Sequence, residues 1–215
     1  MATASAHGRA LELGAASLGV SLDAAQRDAL LAYLTLLEHW NRAYNLTAVR
    51  DPAQMVPRHL LDSLSIVPLV HGRTLLDVGS GAGLPGLVLA VALPRARVTL
   101  LDPSLKRTRF LDHVVQGLGL SNVVVARARL QDHVPACPVD TMTSRAALAL
   151  ERLLAAAPPL LARGGRLVAM LGRAPPVSEL PRVPQGWRME LIPLHVPGVD
   201  GARHAAIVQR RDAPG

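Results

Sequence analysis

One run carries the densest chemistry in the sequence: Asp77-Val78-Gly79-Ser80-Gly81-Ala82-Gly83-Leu84-Pro85-Gly86. Glycines at 79, 81 and 83 let the backbone take positive φ and let a ligand approach closely. The apolar run before it predicts a buried strand, and the run Leu84 to Leu93 predicts a helix directly after it. Amide N–H groups at that helix start are expected to face the ligand. Asp102 follows the next apolar run, where a strand-ending carboxylate can accept hydrogen bonds from ribose hydroxyls.

Two cofactors suit such a loop. Gly81, Gly83 and Gly86 satisfy the spacing of a dinucleotide fingerprint. That fingerprint normally starts at the strand end and holds a pyrophosphate on the helix N-terminus. Here the turn begins at Gly79, two residues after the acidic Asp77, and Pro85 removes one N–H donor. S-adenosylmethionine has a sulfonium and an ammonium instead of a pyrophosphate, and a nearby carboxylate favours both. The spacing therefore favours the methyl donor, with main-chain amides and the carboxylates of Asp77 and Asp102 enclosing it.

The elements that must position this loop change character along the chain. Leu22 to Tyr44 carries apolar residues at helical spacing, with Ser21 as candidate N-cap, and a second helix is expected from Asp51-Pro52 to Leu64. From Arg73 short apolar runs alternate with helical segments, the pattern of βαβ units and a parallel sheet. Strands are expected at Thr74–Val78, Arg97–Leu101, Asn122–Ala126, Val139–Thr143 and Arg166–Leu171. Helices are expected at Ser104–Leu118 and Ala146–Leu161, the latter ended by Gly164-Gly165. Trp187–Val196 and His204–Gln209 are expected to pair antiparallel at a sheet edge. The reading divides the chain into a helical extension, 1–72, and an α/β domain, 73–215, forming one compact unit.

Composition bounds the partners. The chain has 215 residues, half of them hydrophobic, enough for one substantial core. A single cysteine, Cys137, excludes an internal disulfide framework and a cysteine-rich zinc site, and no metal is expected. No signal peptide or membrane span is read, so a soluble cytoplasmic protein with no membrane partner is expected. The formal charge is +7, almost all positive charge being arginine, with Lys106 the only lysine. Arginine suits phosphate and nucleobases, but the basic residues are scattered, and aromatics make up only 2%.

Several ordered motifs together resemble the ribosomal small-subunit methyltransferase G family, also called glucose-inhibited division protein B. They are Tyr44-Asn45-Leu46-Thr47-Ala48, Arg58-His59-Leu60-Leu61-Asp62-Ser63, the Asp77–Gly86 loop, and Leu101-Asp102 with Lys106-Arg107. Ser144-Arg145-Ala146, Val196-Pro197 and Gly201-Ala202-Arg203-His204 complete the resemblance, which spans roughly residues 36–210. It implies a Rossmann-like class I S-adenosylmethionine-dependent methyltransferase fold, with a parallel sheet and a terminal antiparallel strand. The implied reaction is methylation of N7 of one guanine in a 16S rRNA hairpin near the decoding region. The implied partner is 16S rRNA, the 30S subunit or an assembly intermediate, and a monomer is expected.

By the same resemblance, Gly79 and Leu84 contact the cofactor, Leu130 and Gln131 sit beside its adenine, and Arg145 lies at the cofactor and substrate pocket. Gln131 replaces a glutamate usual in the family, and Leu171 replaces a lysine that Arg173 can stand in for. Guanine N7 carries a free lone pair, so no general base is required and no catalytic acid or base is named. Candidate RNA contacts are Arg58, Lys106, Arg107, Arg129 and Arg145; a solvated face is the alternative for Lys106, Arg107 and Arg129. His59 and Asn45 are read as structural, and Trp40 and Phe110 as core. Two other functions stay open: a methyltransferase acting on a small molecule or protein, and a binding module that kept the fold without the cofactor.

Overall fold

The computed structural model describes residues 2–145 and 149–211. Strands β1 (Thr74–Val78), β2 (Arg97–Leu101), β3 (Val123–Ala126), β4 (Val139–Arg145), β5 (Leu161–Leu171), β6 (Trp187–Leu194) and β7 (Arg203–Arg210) form one sheet in the order β3-β2-β1-β4-β5-β7-β6. The first five run parallel, and β7 enters antiparallel between β5 and β6. This is the expected parallel sheet with its antiparallel terminal pair. The strand order reverses between β1 and β4, which opens a crevice at the carboxyl ends of the strands.

Period-two alternation splits the strands between two cores. Leu75, Leu100, Val168, Ala205 and Ile207 face one side, together with residues of helices α1 (Ala2–Ser17), α2 (Ala24–Tyr44), α5 (Gly86–Ala92) and α6 (Leu105–Gly117). Leu76, Leu101, Leu167, Ala206 and Val208 face the other, under α7 (Leu150–Leu160). The N-terminal helices therefore share their core with the sheet. Trp40 and Phe110 pack with ring centroids 5.5 Å apart. Among the described residues no helix is long and apolar enough to cross a membrane.

Several local expectations are corrected. Helix α2 is capped by Asp23, not Ser21, because Asp23 and Gln26 form a reciprocal capping box at 2.8 and 2.9 Å. The expected second helix is broken into α3 (Pro52–Met55), a π turn (Val56–Leu61) and α4 (Asp62–Leu64). Pro57 sits in that π turn and has no N–H for a regular helical bond. Helix α7 ends at Leu160, before Gly164-Gly165; both glycines lie inside β5, where the register against β4 shifts. Residues 146–148, the expected start of that helix, lie outside the described residues.

Candidate active site

The glycine loop leaves β1 and spends most of its amides on itself. Gly79 and Ser80 N–H donate to the Leu101 carbonyl at 2.8 and 3.1 Å, and Gly83 and Leu84 N–H donate to the Ser80 carbonyl at 2.7 and 3.0 Å. Gly81 N–H donates to Asp102 Oδ2 at 3.0 Å, and Gly86 N–H to Asp77 Oδ2 at 3.1 Å. The expectation that helix-start amides face the ligand is thus corrected. A loop that turns these donors inward offers little to a pyrophosphate and removes an unfavourable dipole from beside a sulfonium.

Asp77 lies beneath the loop rather than beside a ligand. It is 1% exposed, and its Oδ1 accepts the Thr143 hydroxyl at 2.9 Å. Burial pushes its carboxyl up to about 6 despite these donors. From the other side, the Tyr33 hydroxyl on α2 donates to the Ala82 carbonyl at 2.7 Å, and burial raises its pKa well above the usual phenol range. The loop is therefore braced from β4 below and from α2 above.

A cavity of about 450 Å³ opens at the ends of β1, β2 and β3, lined by Val78, Gly79, Leu101, Asp102, Pro103, Arg107, Ala128, Arg129, Leu130, Gln131 and Arg152. Leu130, Gln131 and Arg152 also border a neighbouring hollow of about 600 Å³ under α7. Asp102 is fully buried and already holds Gly81 N–H, Ser104 N–H at 2.9 Å and Arg107 Nη1 at 3.4 Å. A Cβ on Gly81, whose φ is +58°, would meet nothing nearer than the Gly79 carbonyl at 3.7 Å, so the space over the loop is open to a ligand. A strand-end carboxylate, open glycine backbone and a 3-10 turn carrying an amide side chain fit a nucleoside with an amino-acid tail.

A second cavity of about 440 Å³ lies across the β1–β4 reversal, over the ends of β4, β5 and β6 and the start of β7. Its lining includes Thr47, Arg58, His59, Asp62, Arg145, Leu171, Gly172 and Arg203. Arg145 Nη1 donates to Asp62 Oδ2 at 2.9 Å and to the Arg58 carbonyl at 3.0 Å. Arg203 Nε stands 3.3 Å from Asp62 Oδ1. His59, 3% exposed, bonds the Thr47 hydroxyl through Nε2 at 3.0 Å. Desolvation, then the Arg145 charge, push its pKa down to about 4, so it is neutral at neutral pH.

Among the expected cofactor residues, Gly79, Asp102, Leu130 and Gln131 come together on the first cavity. Gly81 and Asp77 support it from within the loop, Leu84 is buried in the core at 4% exposure, and Arg145 stands in the second cavity. Of the expected RNA contacts, Arg58 shares the second cavity with Arg145, while Arg107 and Arg129 line the first. Lys106 instead donates to the Tyr44 carbonyl at 2.6 Å, where α2 ends. Arg152, Asp62 and Arg203 were not singled out from sequence. The last two stood inside quoted motifs, but nothing local signals their pairing.

The family model described as rRNA small subunit methyltransferase G matches residues 26–206. A ribosomal RNA small subunit methyltransferase G from Alkalilimnicola ehrlichii is 52% identical over 91% of this chain and 89% of its own length. One from Marinobacter nauticus is 50% identical over 93% of both chains. Among solved structures, a precorrin-6y C5,15-methyltransferase from Geobacter metallireducens superposes with a TM-score of 0.55 at 13% identity, covering 79% of this chain and 92% of that one. That last likeness speaks to the fold alone.

Proposed function

The chain belongs to the rRNA small subunit methyltransferase G family, and from that premise we propose that it methylates N7 of a guanine in 16S rRNA with S-adenosylmethionine as donor. The observation that carries the reading is the pair of cavities flanking the β1–β4 reversal, one lined by Asp102 and the glycine loop, the other by Arg58, Arg145 and Arg203. Donor and acceptor can then meet at the crevice between them.

Bound S-adenosylmethionine supplies an electrophilic methyl group on sulfur. Gly79, Gly81, Asp102, Leu130 and Gln131 are the residues we assign to holding it, with Asp77 fixing the loop from behind. Because guanine N7 already bears a lone pair, no side chain must take a proton. The protein's task is alignment, which is worth up to ~7–11 kcal/mol for well-oriented partners. Arg58, Arg129 and Arg145 are assigned to the RNA, with Arg107 on the wall of the donor cavity and Lys106 tied to the Tyr44 carbonyl.

We take the substrate to be 16S rRNA within the 30S subunit or an assembly intermediate, and the working form to be a cytoplasmic monomer. The division into a helical extension, 1–72, and a methyltransferase domain, 73–215, is kept as a proposal about function: the extension braces the loop through Tyr33. Incubating the full chain with methyl-labelled S-adenosylmethionine and naked 16S rRNA, 30S particles, or ribosome-free extract tests the reading. Label at a single 16S guanine, cleavable as N7-methylguanine, is expected. Label only in protein or small molecules overturns it.

A further inference from the structure

Asp62 faces two arginines from separate strands of the sheet. Its side chain is 7% exposed; Oδ2 takes Arg145 Nη1, from the end of β4, at 2.9 Å. Oδ1 stands 3.3 Å from Arg203 Nε, at the start of β7, in a geometry that makes no hydrogen bond, and it has no other partner among the described residues. Arg58, from the π turn, lines the same cavity of about 440 Å³. Three guanidinium groups against one carboxylate leave the cavity strongly cationic, since His59 is neutral there.

A purely structural ion pair needs one partner per charge. Here the carboxylate is shared, and the hydrogen bonds of Arg145 and Arg203 use Nη1 alone, to Asp62 and to the Arg58 and Ala202 carbonyls. The remaining planar N–H donors of both groups suit one anion between them, and guanidinium forks bind phosphate oxygens in pairs. The cavity lies on the acceptor side of the β1–β4 reversal, away from Asp102. We propose that Arg145 and Arg203, held apart by Asp62, clamp a backbone phosphate of the RNA beside the target guanosine, with Asp62 as the positioning residue. This rests on the rRNA reading above.

The clamp explains how a reaction without acid or base is kept in line. Gripping the backbone fixes the nucleotide while leaving both edges of the base free, so N7 stays open to the methyl group. Guanidinium contacts to O6 and N7, the usual arginine reading of guanine, would block it.

The test is equilibrium binding of a 16S rRNA fragment to the full chain with S-adenosylhomocysteine, over a salt series, for wild type, Arg203→Ala, Arg203→Lys and Asp62→Asn. Arg203→Ala should weaken RNA binding several-fold and lower the slope of log affinity against log salt by about 0.7, the share of one single-stranded phosphate contact. Arg203→Lys should restore the slope but only part of the affinity. Asp62→Asn should lower RNA affinity and raise KM for RNA more than it lowers kcat, with S-adenosylhomocysteine affinity unchanged. A folded Arg203→Ala chain with the wild-type slope overturns the clamp. So does a parallel fall in S-adenosylhomocysteine affinity, which would assign the anion to the donor's own carboxylate. If wild type transfers no methyl to 16S rRNA at all, the underlying reading fails instead.

Discussion

The Thr143 hydroxyl donates to Asp77 Oδ1 at 2.9 Å, tying β4 to β1 directly beneath the glycine loop. Asp77 is 1% exposed with a carboxyl raised from 3.8 to about 6, so at neutral pH it is a buried anion that depends on its donors. Thr143→Val keeps the shape and removes one donor, which should cost about 1–3 kcal/mol. The sign with pH follows. A carboxyl raised on folding contributes most below its unfolded value and loses that contribution as pH rises through about 6. The loss in Thr143→Val, measured by urea unfolding, should therefore be large at pH 8 and small near pH 4. Equal losses at both would mean that the hydroxyl does not serve the ionised form.

Gly86 and Gly81 separate packing from access. A Cβ on Gly86 would lie 2.6 Å from Asp77 Oδ2 and would overlap Leu100, both part of the packed interior. Gly86→Ala should destabilise the chain by about 1–3 kcal/mol, in the range of overpacked cores. A Cβ on Gly81 meets open space, though its φ of +58° strains any side chain. Gly81→Ala should cost about 1–2 kcal/mol of stability, yet reduce S-adenosylhomocysteine affinity at least as much as Gly86→Ala does. Calorimetry beside urea melts reads both, and wild-type affinity in a folded Gly81→Ala would remove the space above the loop from the binding site.

Asp102→Asn addresses the donor cavity from its far wall. The amide oxygen, placed at Oδ2, can still accept from Gly81 N–H and Arg107, but the amide NH₂ then faces the donor Ser104 N–H. S-adenosylhomocysteine affinity should fall by about tenfold or more, as expected when a charge-assisted acceptor is lost. Affinity within twofold of wild type would show that the carboxylate only shapes the loop.

The parallel strands and the loop were legible because each is fixed locally: apolar runs of strand length, and glycines where the backbone needs positive φ. What the loop does with its amides was not legible. Gly79 and Ser80 bond the Leu101 carbonyl, on a neighbouring strand whose register no local pattern reveals. Ser21 lost the cap to Asp23 for a local reason that could have been read, since only Asp23 has a glutamine three residues on. The Asp62, Arg145 and Arg203 cluster joins the segment after the π turn, the end of β4 and the start of β7, and side-chain pairing across three elements leaves no periodic trace.

His59 opposes Asp77 in acid. A histidine depressed from 6.5 to about 4 contributes stability in full above its unfolded value and loses it as pH falls towards about 4. Across about pH 4 to 6 the two groups therefore pull in opposite directions, each by on the order of 2 kcal/mol. In His59→Asn the Asp77 contribution loses its main opponent, and urea midpoints should fall more steeply, or rise less, than in wild type as pH rises from 4 to 6. In Asp77→Asn they should rise over the same interval. Profiles parallel to wild type in both variants would show that neither group titrates as its burial dictates.

Tyr33 makes the N-terminal helices part of the site. Its hydroxyl bonds the Ala82 carbonyl at 2.7 Å in a fully enclosed position, and Gln26 on the same helix donates to the Val91 carbonyl at 2.9 Å at the end of α5. Tyr33→Phe leaves the ring packed and orphans one buried carbonyl, which should cost about 1–3 kcal/mol. Because that carbonyl belongs to the loop, the loop should also lose definition: S-adenosylhomocysteine affinity should drop several-fold, while methyl transfer at saturating donor stays near wild type. Amide hydrogen exchange would then show faster opening at Gly81 to Leu84 than in the rest of the sheet core. A variant that loses stability but keeps donor affinity and exchange protection would reduce α2 to a packing element.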